Sequence, residues 1–254
     1  MVCRFCGGKD GDKSFKNEAH VFPQFIGNKK LLSHYECDSC NIFFSEGIEN
    51  NFANYFLPFN NFFRIAGSRN VPTYISSENV RVESCSKTDT ISVKLQNLTS
   101  NDFTHINENG EREFIYEMKP YIPMAVFKCF VKMALSVMPI NELHQFENTI
   151  NWLMNTKHEH FYSNGRRLLL KMALFKHHHF DTDIRYGICK KVIPSCNVPY
   201  MLFCIEWGQM HCMIEIPIGI NMHCIEIENM PLLVPNEIET HPVEHTDLTS
   251  ASEK

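Results

Sequence analysis

The sequence predicts an α+β protein. A small metal-stapled N-terminal module of two strands and a helix precedes a mixed α/β region of helices and small antiparallel sheets. Three observations carry this reading. Two C-x2-C pairs, Cys3-Arg4-Phe5-Cys6 and Cys37-Asp38-Ser39-Cys40, bracket the first forty residues. Alternating β-branched and apolar residues recur in PTYISSENVRVESC, DTISVKLQNL and the stretch from Tyr186 to Ile220. One strongly apolar run, MAVFKCFVKMALSVM, has the length of a helix.

The cysteine pairs come first in the chain and fix the first module. At C-x2-C spacing both thiolates of a knuckle reach one tetrahedral ion, and two knuckles complete a four-cysteine Zn2+ site from Cys3, Cys6, Cys37 and Cys40. So short a segment has little core of its own, and a closed structural zinc gives it a reason to fold. The chain of 254 residues holds 11 cysteines, an odd number that fits metal ligands and buried thiols better than a disulfide framework. Cys85, Cys129, Cys189, Cys196, Cys204, Cys212 and Cys224 stand in apolar or strand-like contexts and read as buried thiols.

Between the knuckles lies NEAHVFPQFIGN, an extended segment with His20 set between Ala19 and Val21. After the second knuckle a helix is expected from about Asn41 through IFFSEGIENNFANYF, weakened at Gly47 and ended by Pro58. The first module therefore spans 1–57. Two strands joined by the polar SKTD turn follow, with a third around Tyr116. The apolar run between Pro123 and Pro139 is a helix, NELHQFENTINWLMN another, and Arg166 to His178 a shorter one. YGICKKVIP, YMLFCIEWG and HCMIEIPIGI suit a small antiparallel sheet with a hairpin at Trp207-Gly208-Gln209. Residues 58–235 form this mixed region, whose role is open between substrate binding, sensing and partner contact; residues 236–254 read as an acidic, disordered tail.

No run of about eighteen apolar residues occurs, and MVCRFCGGKD lacks the apolar stretch of a signal peptide, so the expectation is a soluble cytoplasmic protein with no membrane partner. The net charge of −5 hides an uneven distribution. Between Lys119 and Lys191 eleven basic residues meet five acids; from Glu206 onward nine acids meet one lysine. Solvated faces account for this, and so does a phosphate-facing surface in the middle that includes Lys128, Lys132, Arg166 and Arg167. The run Lys176-His177-His178-His179 is not a metal site on a helix, because consecutive side chains diverge. Trp152, Trp207 and the phenylalanines read as core rather than base-stacking platforms.

The order C-x2-C, then AHVFPQFIGN, then CDSCN followed by a helix carrying Ile48-Glu49 resembles the zinc-bound branch of the HNH endonuclease family over about residues 3–57. That resemblance implies a ββα-metal fold and phosphodiester hydrolysis assisted by one divalent ion, Mg2+ or Mn2+, distinct from the structural Zn2+. Carried over by position, it implies that His20 is the general base that deprotonates water, a task suited to an imidazole. It likewise implies that Asn41 helps hold the catalytic ion and that Asn28 is the loop asparagine that orients the histidine. The pattern departs from the family at Ala19, where an acidic metal ligand usually stands. Glu18 and Glu49 are the candidates to replace it, and both also read as surface acids, or Glu49 as a group orienting a neighbour. A structural histidine or an extra zinc ligand is the competing reading of His20. The substrate implied is nucleic acid, DNA ahead of RNA, with a homodimer suited to cutting both strands. The rival class is a noncatalytic zinc-binding module that recognises nucleic acid or a partner protein. Association with the family alone suggests a third, a bacterial antiviral defence effector whose nuclease awaits a signal or regulatory partner protein.

Overall fold

A computed structural model of the chain describes residues 1–76, 80–85, 90–94, 104–175, 180–192, 199–219 and 244–254. Its class is α+β, with helices and small antiparallel sheets. The N-terminal part contains β1 (Ala19–His20), paired antiparallel with β2 (Leu32–Ser33), and two consecutive helices, α1 (Asp38–Glu46) and α2 (Ile48–Phe62). Cys37 is the extended N-cap of α1, so the helix starts three residues before Asn41. The Asp38 carboxylate accepts the backbone N–H groups of Lys16 and Asn17, which ties the incoming chain to the helix start. Gly47 separates the two helices with φ −95° and ψ −93°, a break that the helix-weakening glycine foreshadowed.

Pro58 does not end the helix. α2 runs through it to Phe62, because the residues beyond are anchored by tertiary hydrogen bonds. Asn60 donates to the Phe25 carbonyl at 3.0 Å and accepts the Trp207 indole N–H at 3.2 Å. Asn61 donates to the carbonyls of Pro72 and Val82 and accepts the Tyr116 hydroxyl. Two buried amides thus outweigh the local cost of a proline inside the helix. The boundary expected at 57/58 falls within α2, and one apolar core runs across it.

β3 (Tyr74–Ile75), β4 (Arg81–Cys85) and β5 (Thr90–Lys94) form an antiparallel sheet, and β6 (Thr104–Ile106) pairs with β7 (Arg112–Phe114). Tyr116 lies beyond β7 rather than in a strand, its ring edge-on to Tyr74 at 4.8 Å. Next comes α3 (Pro123–Val137), with proline pre-set at its start and every residue from Pro123 to Leu135 buried. A helix apolar all round belongs in the core. Phe130 meets Phe52 and Phe56 of α2 at 5.3 and 5.9 Å. A 3-10 turn at Leu143–Phe146 leads into α4 (Glu147–Leu153).

The largest sheet is β8 (Leu169–Leu174), β9 (Phe180–Val192), β10 (Pro199–Gly208), β11 (Met210–Glu215) and β12 (Glu244–Asp247), in the order β12-β8-β11-β10-β9 and antiparallel throughout. The hairpin turns where expected, after Trp207-Gly208. Two expectations are corrected here. The segment after Arg166 is a strand, not a helix: LLKMA is buried at every position because β8 lies between two neighbours, so it carries no alternation. The end of the tail is not disordered either. β12 pairs with β8, Leu248 is fully buried, and Tyr121 and Lys254 exchange backbone hydrogen bonds at 3.1 and 2.9 Å. Residues 236–243 and the Lys176–His179 run lie outside the described residues.

Cys129 and Cys212 are buried thiols as expected, Cys204 is half-buried, and Cys189 is exposed on the edge strand β9. The side chains of Cys85, Cys196 and Cys224 lie outside the described set. Trp152 and Trp207 sit in the core. No described helix is long and apolar enough to cross a membrane.

Candidate functional site

The two knuckles converge. Cys3 donates its backbone N–H to Gly8, and Gly7 turns the chain back in the left-handed region at φ +67° to reach the Cys3 carbonyl. Cys37 and Cys40, at the cap and first turn of α1, project toward them. The sulfur of Cys3 lies 3.8 Å from that of Cys40, and the sulfur of Cys6 3.7 Å from that of Cys37. All four lie within 4.8 Å of one another. A tetrahedron with Zn–S bonds of about 2.3 Å has edges of about 3.8 Å, so the residues fit a zinc ion. Four thiolates so close cannot all be charged without a cation. Hydrogen bonding from Cys40 pushes the Cys3 thiol down to about 4, while the same bond pushes Cys40 up.

His20 stands on β1, opposite Leu32. Ala19, the position where the resemblance leads one to expect an acid, is fully buried. The His20 ring is half-buried; its Nε2 meets the side-chain amide of Gln24, and its Nδ1 is buried without a protein partner. Burial lowers the His20 pKa, the Glu49 and Glu18 charges raise it, and Lys132 lowers it further; the net direction is down. The imidazole is therefore held toward its neutral, proton-accepting form.

Glu18 is exposed, two residues before His20. Glu49, in the first turn of α2, places Oε1 3.1 Å from Lys132 Nζ. Asn41 lies on α1, half-buried, one residue after Cys40. Asn28 is buried and binds backbone only: it donates to the carbonyls of Phe22 and Leu31, both at 2.9 Å, and accepts from Lys30 and Leu31. It closes the β1–β2 connection through these backbone bonds, none of which goes to the His20 ring.

The site also contains Glu36, which the sequence did not single out, and Lys132, which it offered only for a phosphate-facing surface. Lys132 of α3 is fully buried. Its ammonium donates to the His20 carbonyl at 2.8 Å and to Glu49, and lies 3.5 Å from the buried Glu36. Burial works against its charge, but Glu49 and Glu36 outweigh that and raise its pKa. Burial pushes Glu36 up to about 7 against the pull of Lys132. Lys128, also assigned to a phosphate track, is buried too, donating to the Asn155 carbonyl at 2.7 Å beneath the Trp152 ring. Arg166 pairs with Glu215; Arg167 is exposed. The signal for Lys132 was present: a charge inside an otherwise apolar run must find a counter-charge in the core.

Among the described residues, the four cysteines are the one group of three or more His, Cys, Asp or Glu whose ligand atoms gather closely enough to share an ion. Residues 3–57 match the family model of the HNH endonuclease. No curated protein and no solved structure matches the chain. The N-terminal segment is thus similar to HNH endonucleases and holds a four-cysteine cluster that could bind a metal ion, a combination that suggests a nuclease-type or nucleic-acid-binding function.

Proposed function

We propose that the protein is a metal-dependent endonuclease that hydrolyses phosphodiester bonds of nucleic acid, with DNA as the substrate ahead of RNA. The observation that carries this reading is the half-buried His20 on β1, held toward its neutral form within the matched segment. A neutral imidazole takes a proton from an attacking water through the ring nitrogen that carries none, and Nδ1 is that nitrogen when the Gln24 side chain presents its amide oxygen to Nε2–H. Glu18 or Glu49, with Asn41, would hold a Mg2+ or Mn2+ ion. One or two protein oxygens with water complete the usual shell of such an ion, so a cage of three acids is not required. When bound, that ion supplies charge neutralisation at the scissile phosphate and the leaving oxygen. The chain's own part is to orient the imidazole: Asn28 closes the loop behind it, and Lys132 holds its carbonyl. The structural Zn2+ stays at the four cysteines.

The test is incubation of purified protein with plasmid and Mg2+ or Mn2+, beside the His20→Ala variant. Cutting by the wild type that is lost in the variant supports hydrolysis; equal background from both overturns it. The second reading, a noncatalytic zinc module that binds nucleic acid or a partner protein, draws on the packed Ala19 and on Glu49 being engaged by Lys132. It predicts plasmid retardation without cutting.

A further inference from the structure

Lys132 lies 75 residues beyond the matched segment, yet its ammonium is built into the floor under His20. β1 is two residues long, so its ladder fixes the His20 peptide through few bonds. The charge-assisted bond from Lys132 at 2.8 Å adds the missing restraint, and the same ammonium ties the first turn of α2 through Glu49. α3 is held in place at its far end as well, where Arg4 of the first knuckle donates to the carbonyls of Leu135, Ser136 and Met138. A lysine with a fully buried side chain is tolerated only when paired, and here each of its partners belongs to residues 3–57.

Resting on the nuclease reading above, we infer that Lys132 is a positioning residue for the reaction: by joining the His20 carbonyl to the Glu49 carboxylate it sets the imidazole relative to the acid and the α2 start. The HNH-type segment is therefore incomplete without α3. Lys132 acts through the groups that it holds and does not reach the substrate. A misplacement of about 1 Å in such a constellation costs on the order of 100-fold in rate.

The experiment compares the full-length wild type with Lys132→Met, and with Lys128→Met as a control from the same helix and the same depth of burial. Each is first checked for zinc content and a cooperative melt. Expected for Lys132→Met is a fall in kcat of about 100-fold or more with KM within about threefold, together with a shift of the His20 ring resonances in NMR. Lys128→Met leaves all three within about threefold or unmoved. A folded Lys132→Met protein that cuts within about threefold of wild type overturns the inference. Should Lys132→Met fail to fold because Glu36 and Glu49 are left facing each other, the double variant Lys132→Met/Glu36→Gln removes one buried acid and is held to the same criteria. Where the wild type itself cuts nothing with either ion, the nuclease reading falls. The catalytic role of Lys132 falls with it, and the His20 resonances then decide only whether Lys132 orients the imidazole: shifted in the variant, that part stands; unmoved, it does not.

Discussion

Arg4 Nη1 donates to the carbonyl oxygen of Met138 at 2.9 Å, across 134 residues of the chain. The same nitrogen reaches the carbonyls of Leu135 and Ser136, so a residue between two of the clustered cysteines caps the end of α3. The last carbonyls of a helix need donors, and a cation there also suits the helix dipole. Replacing Arg4 by Met leaves those carbonyls without it, and the expected cost is about 1–3 kcal/mol. Thermal or denaturant unfolding of the full-length protein measures it. A loss below a few tenths of a kcal/mol would show that water substitutes freely for the guanidinium.

Because α3 is fastened to the first knuckle, removal of a metal from the four cysteines should be felt beyond residues 1–57. Elemental analysis is expected to find one zinc per chain, and Cys37→Ser to lose it. Structural zinc contributes several kcal/mol or more to small domains. Chelation should therefore lower the melting temperature of the whole protein in a single transition, since one apolar core joins the module to the large sheet. Two separate transitions would mean that the regions fold independently.

Much of this was legible in the sequence where chemistry is local. C-x2-C spacing dictates its own geometry, and the four sulfurs came together as the motif requires. The hairpin at Trp207-Gly208 was readable because alternation and turn chemistry coincide there. What escaped was set by tertiary contacts. Pro58 reads as a stop, but Asn60 and Asn61 find partners that exist only in the folded chain. LLKMAL has no alternation because β11 and β12 flank it, and β12 comes from a polar end that reads as disordered. Lys128 and Lys132 looked like surface cations one turn apart; their burial depends on Asn155, Glu36 and Glu49, all distant in sequence.

The rate of the proposed reaction should carry a pH signature from His20. Burial lowers its pKa, so the neutral base persists below the ordinary histidine value of about 6.5, and the acid limb of kcat/KM should lie under that value. The Glu18 charge opposes this lowering. Glu18→Gln removes the opposition and should move the limb to still lower pH; with Glu49 rather than Glu18 holding the ion, the plateau rate stays within about tenfold. A loss on the order of 100-fold at the plateau would instead make Glu18 an ion ligand.

Lys128 predicts a second pH dependence, this one of stability. Burial brings its pKa down to about 8 although Glu159 pulls the other way. Below that pH both folded and unfolded chains hold the proton, and the folded state carries the cost of a buried charge, about 3 kcal/mol. Between about pH 8 and the ordinary lysine value near 10.4 the folded state releases the proton while the unfolded chain keeps it, so stability rises with pH across that window. Lys128→Met removes the charge and should stabilise the protein at pH 7 by about 1–3 kcal/mol, the hydrogen bond to Asn155 and the contact with Trp152 being lost in exchange. Urea unfolding at several pH values checks both the gain and the loss of the slope.

The C-terminal end supplies the last prediction. Leu248 is fully buried at the close of β12, and its N–H donates to the Leu168 carbonyl at 2.9 Å. Two residues on, Ser250 accepts the N–H of Met124 at the start of α3, where no helical carbonyl is available. The end of the chain therefore covers one edge of the large sheet and caps the buried helix in one pass. Leu248→Ala opens a cavity and should cost about 2–5 kcal/mol, and ending the chain before Glu244 should cost more, because β8 then presents an unpaired edge. Denaturant melts of the point variant, with the solubility of the shortened chain, measure this; a truncated protein as stable and soluble as the full chain would show that β12 is not part of the folded unit.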